Sequence, residues 1–390
     1  MPPRSRPALV LLLAAAASAT AGCKSDDDCN QLGTCSADGS CACAPGFAGA
    51  ACGELDFAPA APLDAGGMLW PKFPASDAGV SSSWGFTSAF DRADGLWHAV
   101  VTVACGGDGV VGSGGGESWL AHLTSEEEDG PYSYVGMMAP QTTFGPHLTV
   151  ARDGTIVLYF RVNELLNATL CAGDGRDPQQ NASTIAGSLV PPSALVSGDP
   201  EKGTSIYVAW ADSFMGPWGV QKIVINNGDA GGDVIHKSNP AVVELLQPVG
   251  SASWAMAYRL NFHGELNAIA LADDFRGPWR CITNITGEPG EDPVFFQLPG
   301  QGSIGHILLH NGPFGYHAFG RLDGSPWRYN VSSHAFTLNV SISDGSELIL
   351  NRRERPELRF FANGTARALY ASAQGPPPGR CFSLVQPLRT

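Results

Sequence analysis

The chain is short of charge. Lys, Arg, Asp and Glu make up 15% of its 390 residues, and 23 Lys and Arg stand against 37 Asp and Glu, for a formal net charge of −14. That balance leaves no basic face for a phosphate backbone, and no run of Lys or Arg is long enough to make one, so no nucleic-acid partner is expected. Long apolar runs are missing too. Beyond the N-terminal segment no stretch approaches the length that crosses a bilayer, so no transmembrane segment is expected. Uninterrupted helix-forming stretches are equally scarce, because Gly (48) and Pro (29) are spread throughout, a composition that suits short strands joined by tight turns. What remains is apolar enough for a substantial buried core.

Residues 1–21 have the layout of a secretory signal: Arg4 and Arg6, an apolar run over residues 8–17, and Ala19-Thr-Ala21 as a small-residue cleavage site. A competing reading makes Cys23 the lipid-bearing cysteine of a bacterial lipoprotein, but Thr20 and the spacing fit that poorly. The mature protein is therefore expected to be secreted or associated with the cell surface. Sequons at Asn167, Asn181, Asn284, Asn330, Asn339 and Asn363 favour a glycoprotein of the eukaryotic secretory route.

Six of the ten cysteines fall between residues 23 and 52, spaced C-x5-C-x5-C-x5-C-x-C-x8-C. So short a segment cannot bury a core, and crosslinks must replace the missing burial. Spacing alone leaves fifteen connectivities open. The closing stretch, Cys41-Ala-Cys43-Ala-Pro-Gly-Phe47-Ala-Gly49-Ala-Ala-Cys52, resembles the EGF-like family. That resemblance implies the pairs Cys23 with Cys35, Cys29 with Cys41, and Cys43 with Cys52. Asp26, Asp27 and Asp28 are read as a solvated acidic turn, since the calcium-binding subtype places its acidic residues differently. The module (22–53) is expected to act as a spacer or as a tab for a protein partner, and the Ala-, Pro- and Gly-rich residues 54–67 as a linker. Of the other cysteines, Cys281 with Cys381 is the preferred pair, leaving Cys105 with Cys171.

The remainder, 68–390, repeats itself weakly. Ala209-Trp-Ala-Asp-Ser-Phe-Met-Gly-Pro-Trp218 matches Ala270-Leu-Ala-Asp-Asp-Phe-Arg-Gly-Pro-Trp279, with looser copies ending at Trp327 and Tyr132. Between these turns, Gly145-Pro-His147, Asn239-Pro240, Asp292-Pro293 and Arg355-Pro356 each open a short apolar strand. Strand, bend and Gly-Pro-Trp in rotation predict an all-β, five-bladed β-propeller whose innermost strands bring those openings to a central channel. The fifth blade is a strand short at the C-terminus, and the segment beginning at Met68 is expected to complete it, which would close the ring and remove an open sheet edge.

The order of Asn-Pro, Tyr-Arg, Gly-Pro-Trp, Glu291-Asp-Pro293 and Arg352-Arg-Glu-Arg-Pro356 resembles the five-bladed glycoside hydrolases, the superfamily of arabinanases, β-xylosidases, levansucrases and invertases, and is most similar to proteins labelled family 43-like. The resemblance implies a glycan-directed protein, a glycoside hydrolase acting on furanose or xylose-type polysaccharides if active. It puts axial carboxylates in the catalytic roles, with Asp292, Glu291 and Glu354 as candidates. Because neighbouring residues of a strand point to opposite sides, only one of Glu291 and Asp292 is expected to face the channel. Asp292 is weighed against a turn cap, and Glu354 against a structural ion pair with Arg352, Arg353 or Arg355. Substrate contacts are expected from Trp84, His147, Asn239, Arg259, His310, His317 and Arg355. The histidines of the fourth blade are read as hydrogen-bonding groups, so neither metal nor cofactor is expected. The sequence departs from the family at the first blade, where Ser83-Trp84-Gly85-Phe86 brings no carboxylate. A noncatalytic carbohydrate-binding or adhesion protein is therefore the alternative.

Overall fold

The computed structural model describes residues 22–70, 82–104, 118–139, 143–163, 204–226, 237–260, 267–285, 290–331, 333–375 and 381–390. The signal segment, Cys105, Cys171, Asn167 and Asn181 lie outside them. None of the helices described is long and apolar enough to cross a membrane.

Residues from Met68 onward include five sheets arranged as propeller blades, antiparallel except that Ile225–Asn226 runs parallel to Trp279–Ile285 at the outer edge of the third. The innermost strands are Ser83–Asp91, Thr143–Val150, Ser238–Val249, Glu291–Phe296 and Arg352–Phe360. In the fifth sheet Cys381–Pro387 pairs with Met68–Trp70 as the outermost strand, so an N-terminal segment seals the C-terminal blade. The apolar core is divided into seams between neighbouring sheets. Between the second and third blades, for example, Val157, Tyr159 and Val208 face Val242, Trp254 and Met256. The Gly-Pro-Trp turn supplies Trp279 to that seam, where it lies edge-on to Tyr159 at 6.3 Å. Each seam removes apolar surface from water on two sheets at once, which is how short strands build a large core.

Two seams contain buried histidine pairs at equivalent places. In the first blade His98 and His122 stack on Phe214 of the second, with His98 Nδ1 2.7 Å from His122 Nε2 and the other His98 nitrogen 2.9 Å from Asp94 Oδ2. In the fourth blade His306 Nδ1 lies 3.0 Å from His317 Nε2, while His306 Nε2 meets Gln301 Oε1 at 2.7 Å. Burial pushes His122 and His317 down to about 3 and lowers His98 and His306 as well. These imidazoles are neutral packing groups.

The N-terminal module has the disulfides Cys23–Cys35, Cys29–Cys41 and Cys43–Cys52, as the EGF-like resemblance implies. It does not hang free. Leu32, Phe47 and Leu55 join Val294, Phe296, Leu308, Leu358 and Leu369 in one buried cluster, so the module completes the seam between the fourth and fifth blades. The stretch read as a linker is bonded along its length: Leu55 N–H donates to Ala335 O, Ala58 N–H to Pro387 O and Ala60 N–H to Ser341 O. Arg353, fully buried, places its guanidinium 4.8 Å from the Phe57 ring and 5.3 Å from that of Phe336. The acidic turn is structural: Asp28 accepts from the backbone N–H of Lys24 and Ser25, Asp26 from that of Cys35, and Asp27 pairs with Arg328 at 2.9 Å.

The expected Cys281–Cys381 bond is not formed. Cys281 sits in the fourth strand of the third blade, counted from the axis, and Cys381 in the third strand of the fifth, two blades away. Among the described sequons, Asn284, Asn339 and Asn363 are exposed. Asn330 is half-buried and donates to Ser333 Oγ at 2.9 Å.

Candidate functional site

All five innermost strands break regular β geometry at the same point. The register slips between Trp84 and Thr87, Phe144 and His147, Ser238 and Ala241, Glu291 and Val294, and Glu354 and Glu357. Within each slip sits one residue with a left-handed backbone: Gly85, Gly145, Asn239, Asp292 and Arg355, with φ between 53° and 71°. Glycine adopts this freely, and Asn and Asp tolerate it. For Arg355 it is a strained position, costing roughly 1–3 kcal/mol, of the kind held by surrounding structure where a function requires it.

The surrounding structure is a ring across the axis. Asn239 Nδ2 donates to Asp292 Oδ1 at 2.6 Å, Arg355 Nη2 donates to Asn239 Oδ1 at 3.1 Å, and Arg355 Nε lies 3.1 Å from Asp292 Oδ1. Arg355 thus bridges the third and fourth blades. Its guanidinium continues to the second, 4.6 Å from the Phe144 ring. Glycine is required there, since a Cβ on Gly145 would come within 2.6 Å of Arg355 Nη1. Ser372 of the fifth blade and Thr102 of the first hold the backbone N–H groups of Gly85 and Gly145.

Asp292, not Glu291, lines the small cavity to which all five innermost strands contribute, yet both neighbours meet one histidine: His310 Nε2 is 3.5 Å from Glu291 Oε1, and His310 Nδ1 is 3.5 Å from Asp292 Oδ2. Glu354 Oε1 approaches the same His310 Nε2 at 3.5 Å and pairs with Arg352 Nε at 2.6 Å. Arg259 donates to the other Glu291 oxygen. Glu291, His310, Arg352 and Glu354, with Asn311 and Asn351, line a cavity of ≈ 350 Å³ at this mouth of the channel.

The three acids do not share one electrostatic environment. Burial, then the neighbouring Asp292, raises Glu291 above the ordinary carboxylate range despite Arg259, His310 and Arg355. Burial would raise Glu354 too, but the hydrogen bond and charge of His310, with Arg352 and Arg355, bring it below. Burial lowers His310, yet Glu354, Asp292 and Glu291 more than restore its proton affinity. Donor atoms of Glu291, His310 and Glu354 lie within 4.8 Å of one another, a separation that would suit a divalent cation. Arg259 and Arg352 each hold one of these glutamates, however, and a cation would displace those contacts.

Asn239, Arg259, Glu291, Asp292, His310, Glu354 and Arg355 are therefore gathered at one mouth. His147 shares the small axial cavity with Asn239, Asp292 and Arg355 and also lines a second cavity, of ≈ 410 Å³, donating to Val242 O at 2.8 Å and lying 3.5 Å from Glu357 Oε2. Trp84 is packing, buried with Phe144 and Cys381. His317 is the inner member of the histidine pair, stacked among His306 and Phe319 inside the seam, and contacts no axial group among the described residues. Arg161 escaped the sequence reading. It pairs across the sheet with Phe144 as Arg259 does with Ser238, and is lowered to about 10 by burial and by Arg355 and Arg259. The signal lay in Phe160-Arg161 echoing Tyr258-Arg259 at two strand ends.

Comparison with known proteins agrees with this architecture. Residues 25–54 match the Teneurin-like EGF domain family. No curated protein matches the chain's sequence. A protein of unknown function from Dyadobacter fermentans superposes with a TM-score of 0.50 at 12% identity, over 86% of this chain and 98% of that one. A fructofuranosidase from Schwanniomyces occidentalis, solved with fructose, gives 0.50 at 12% over 82% of this chain and 58% of that one. A family 117 glycoside hydrolase from Zobellia galactanivorans gives 0.48 at 13%, over 86% and 90%. The chain is thus an EGF-like module on a five-bladed propeller whose structural neighbours include glycoside hydrolases, and at these identities the likeness is one of fold.

Proposed function

We propose that the mouth formed by Glu291, Asp292, His310 and Glu354 is a saccharide site that cleaves glycosidic bonds. The observation that carries this is a pair of neighbouring carboxylates displaced in opposite directions, which is how one fold supplies both an acid and a base near neutrality. In this reading Glu291 gives its proton to the glycosidic oxygen as the bond to the anomeric carbon breaks. Glu354, ionised, takes that carbon, and water then releases the sugar while returning the proton to Glu291. Asp292, fixed by Asn239 and Arg355, keeps Glu291 protonated.

The test is release of reducing sugar from arabinan, xylan and fructan by the full chain, alongside Glu291→Gln and Glu354→Gln. Each variant is expected to lose roughly 10²–10⁴ in rate with its melting temperature kept. Undiminished turnover in both would remove these residues from the mechanism. One feature favours a binding-only reading: the first blade brings Gly85 and Phe86 to the axial cavity and, among the described residues, no carboxylate. Tight saccharide binding with no product over days would establish it.

The three disulfides of the module fit an oxidising, extracellular setting, and we place the protein there as a secreted glycoprotein bearing glycans at Asn284, Asn339 and Asn363. The apolar side of the module is occupied by the blades, so a protein partner would bind its outer face.

A further inference from the structure

Arg352 is unlike the other guanidiniums of the site. Arg259 and Arg355 are buried beneath the mouth and committed to Glu291, Asp292 and Asn239. Arg352 stands at the cavity surface with its side chain 36% exposed, against 8% for Glu354 beside it. Its Nε engages Glu354, and its two terminal amino groups meet no partner among the described residues. A guanidinium edge of this kind offers parallel donors in the plane that a carboxylate or sulfate presents.

The charges around it point the same way. Each acid already has a cation: Glu291 has Arg259, Asp292 has Arg355, and Glu354 has Arg352 and His310. In a chain with a formal net charge of −14, three arginines at this mouth match its three carboxylates one for one, so the open edge of Arg352 is a donor face that no acid of the mouth has to answer.

On the reading of this mouth as a saccharide site, we infer that the saccharide it takes is acidic, with a carboxylate or sulfate group seated on the open edge of Arg352. Its glycosidic bond lies over Glu291 and Glu354, and the anionic substituent projects toward the fifth blade. Arg352 then determines specificity, separate from the groups that perform chemistry.

Calorimetric titration of the full chain tests this with matched probes. One pair is glucuronoxylotriose and its methyl ester; the other is a sulfated galactobiose and its unsulfated parent. The acidic member of at least one pair is expected to bind about 10- to 100-fold tighter than its neutral counterpart, the range of one to two charge-assisted hydrogen bonds. Whichever pair shows the gap identifies carboxylate or sulfate. Arg352→Gln should close the gap by weakening the acidic probe more than the neutral one, and Arg352→Lys should restore part of it, a pattern that a purely structural role for Arg352 would not produce. Neutral probes bound as tightly as acidic ones, or a gap that persists in Arg352→Gln, overturns the inference and leaves the saccharide site standing. Absence of binding by every probe overturns both.

Discussion

Acid should loosen this propeller through its paired histidines. His122 and His317 are buried and neutral, held at about 3 by burial, whereas an unfolded imidazole titrates near 6.5. The folded state therefore binds fewer protons than the unfolded one below that value. The stabilisation is complete above about pH 6.5 and is lost as pH falls through and below it. Lowering the pH from 7 to 5 removes about 2 kcal/mol for each of the two, or about 4 kcal/mol together. His98 and His306 are lowered as well and add to the loss, with Asp94 and Asp91 partly offsetting it at His98. Against a total stability of roughly 5–15 kcal/mol, that is a large share. Urea unfolding followed by tryptophan fluorescence at pH 7.5, 6 and 5 measures it. The His122→Leu, His317→Leu double variant keeps the volume and should flatten the slope. A midpoint independent of pH in the parent, or a slope undiminished in the variant, would refute the assignment of these residues as buried neutral groups.

Other outcomes follow from the same structure. Phe47→Ala empties a place in the seam between the fourth and fifth blades and should cost about 3–5 kcal/mol in thermal unfolding, which a freely tethered module would not show. Arg355→Met leaves Asp292 buried without its cation. A loss of about 3–5 kcal/mol, larger than for Arg276→Met in its exposed pair with Asp274, is expected from denaturant titration. If the site hydrolyses saccharides, kcat/KM should fall as pH rises through the elevated value of Glu291, which loses the proton it donates. It should fall again at low pH, where Glu354 gains one, and Glu291→Gln should abolish the alkaline limb.

The ring was largely legible before the structure, because four of the five blades open with a residue followed by proline at the head of a short apolar strand, and strand openings at a fixed place in a propeller repeat converge on a shared axis. Asn239, Asp292 and Arg355 were singled out on that ground, and the sheets bring them together. What sequence could not supply was register. The meeting of Glu291 and Asp292 on the one His310 sits at a bulge with a positive φ, which period-two alternation does not reveal. His306, His310 and His317 form one group in sequence, yet pairing sets His310 opposite Glu291 at the mouth and His317 opposite Leu308 deep in the seam. The docking of the module was hidden for a different reason: its Phe47 and Leu32 read as the ordinary residues of a small crosslinked fold, and nothing local says that their partners lie near Val294 and Leu369.

A crystal of the full chain carrying Glu291→Gln, soaked with the oligosaccharide bound most tightly, examines the main claim most directly. Sugar density resting between Glu354, His310 and the amide introduced at position 291, at the mouth above the Asn239, Asp292 and Arg355 ring, is the predicted result. Sugar ordered in the second cavity beside His147 and Glu357, with this mouth holding none, would contradict it.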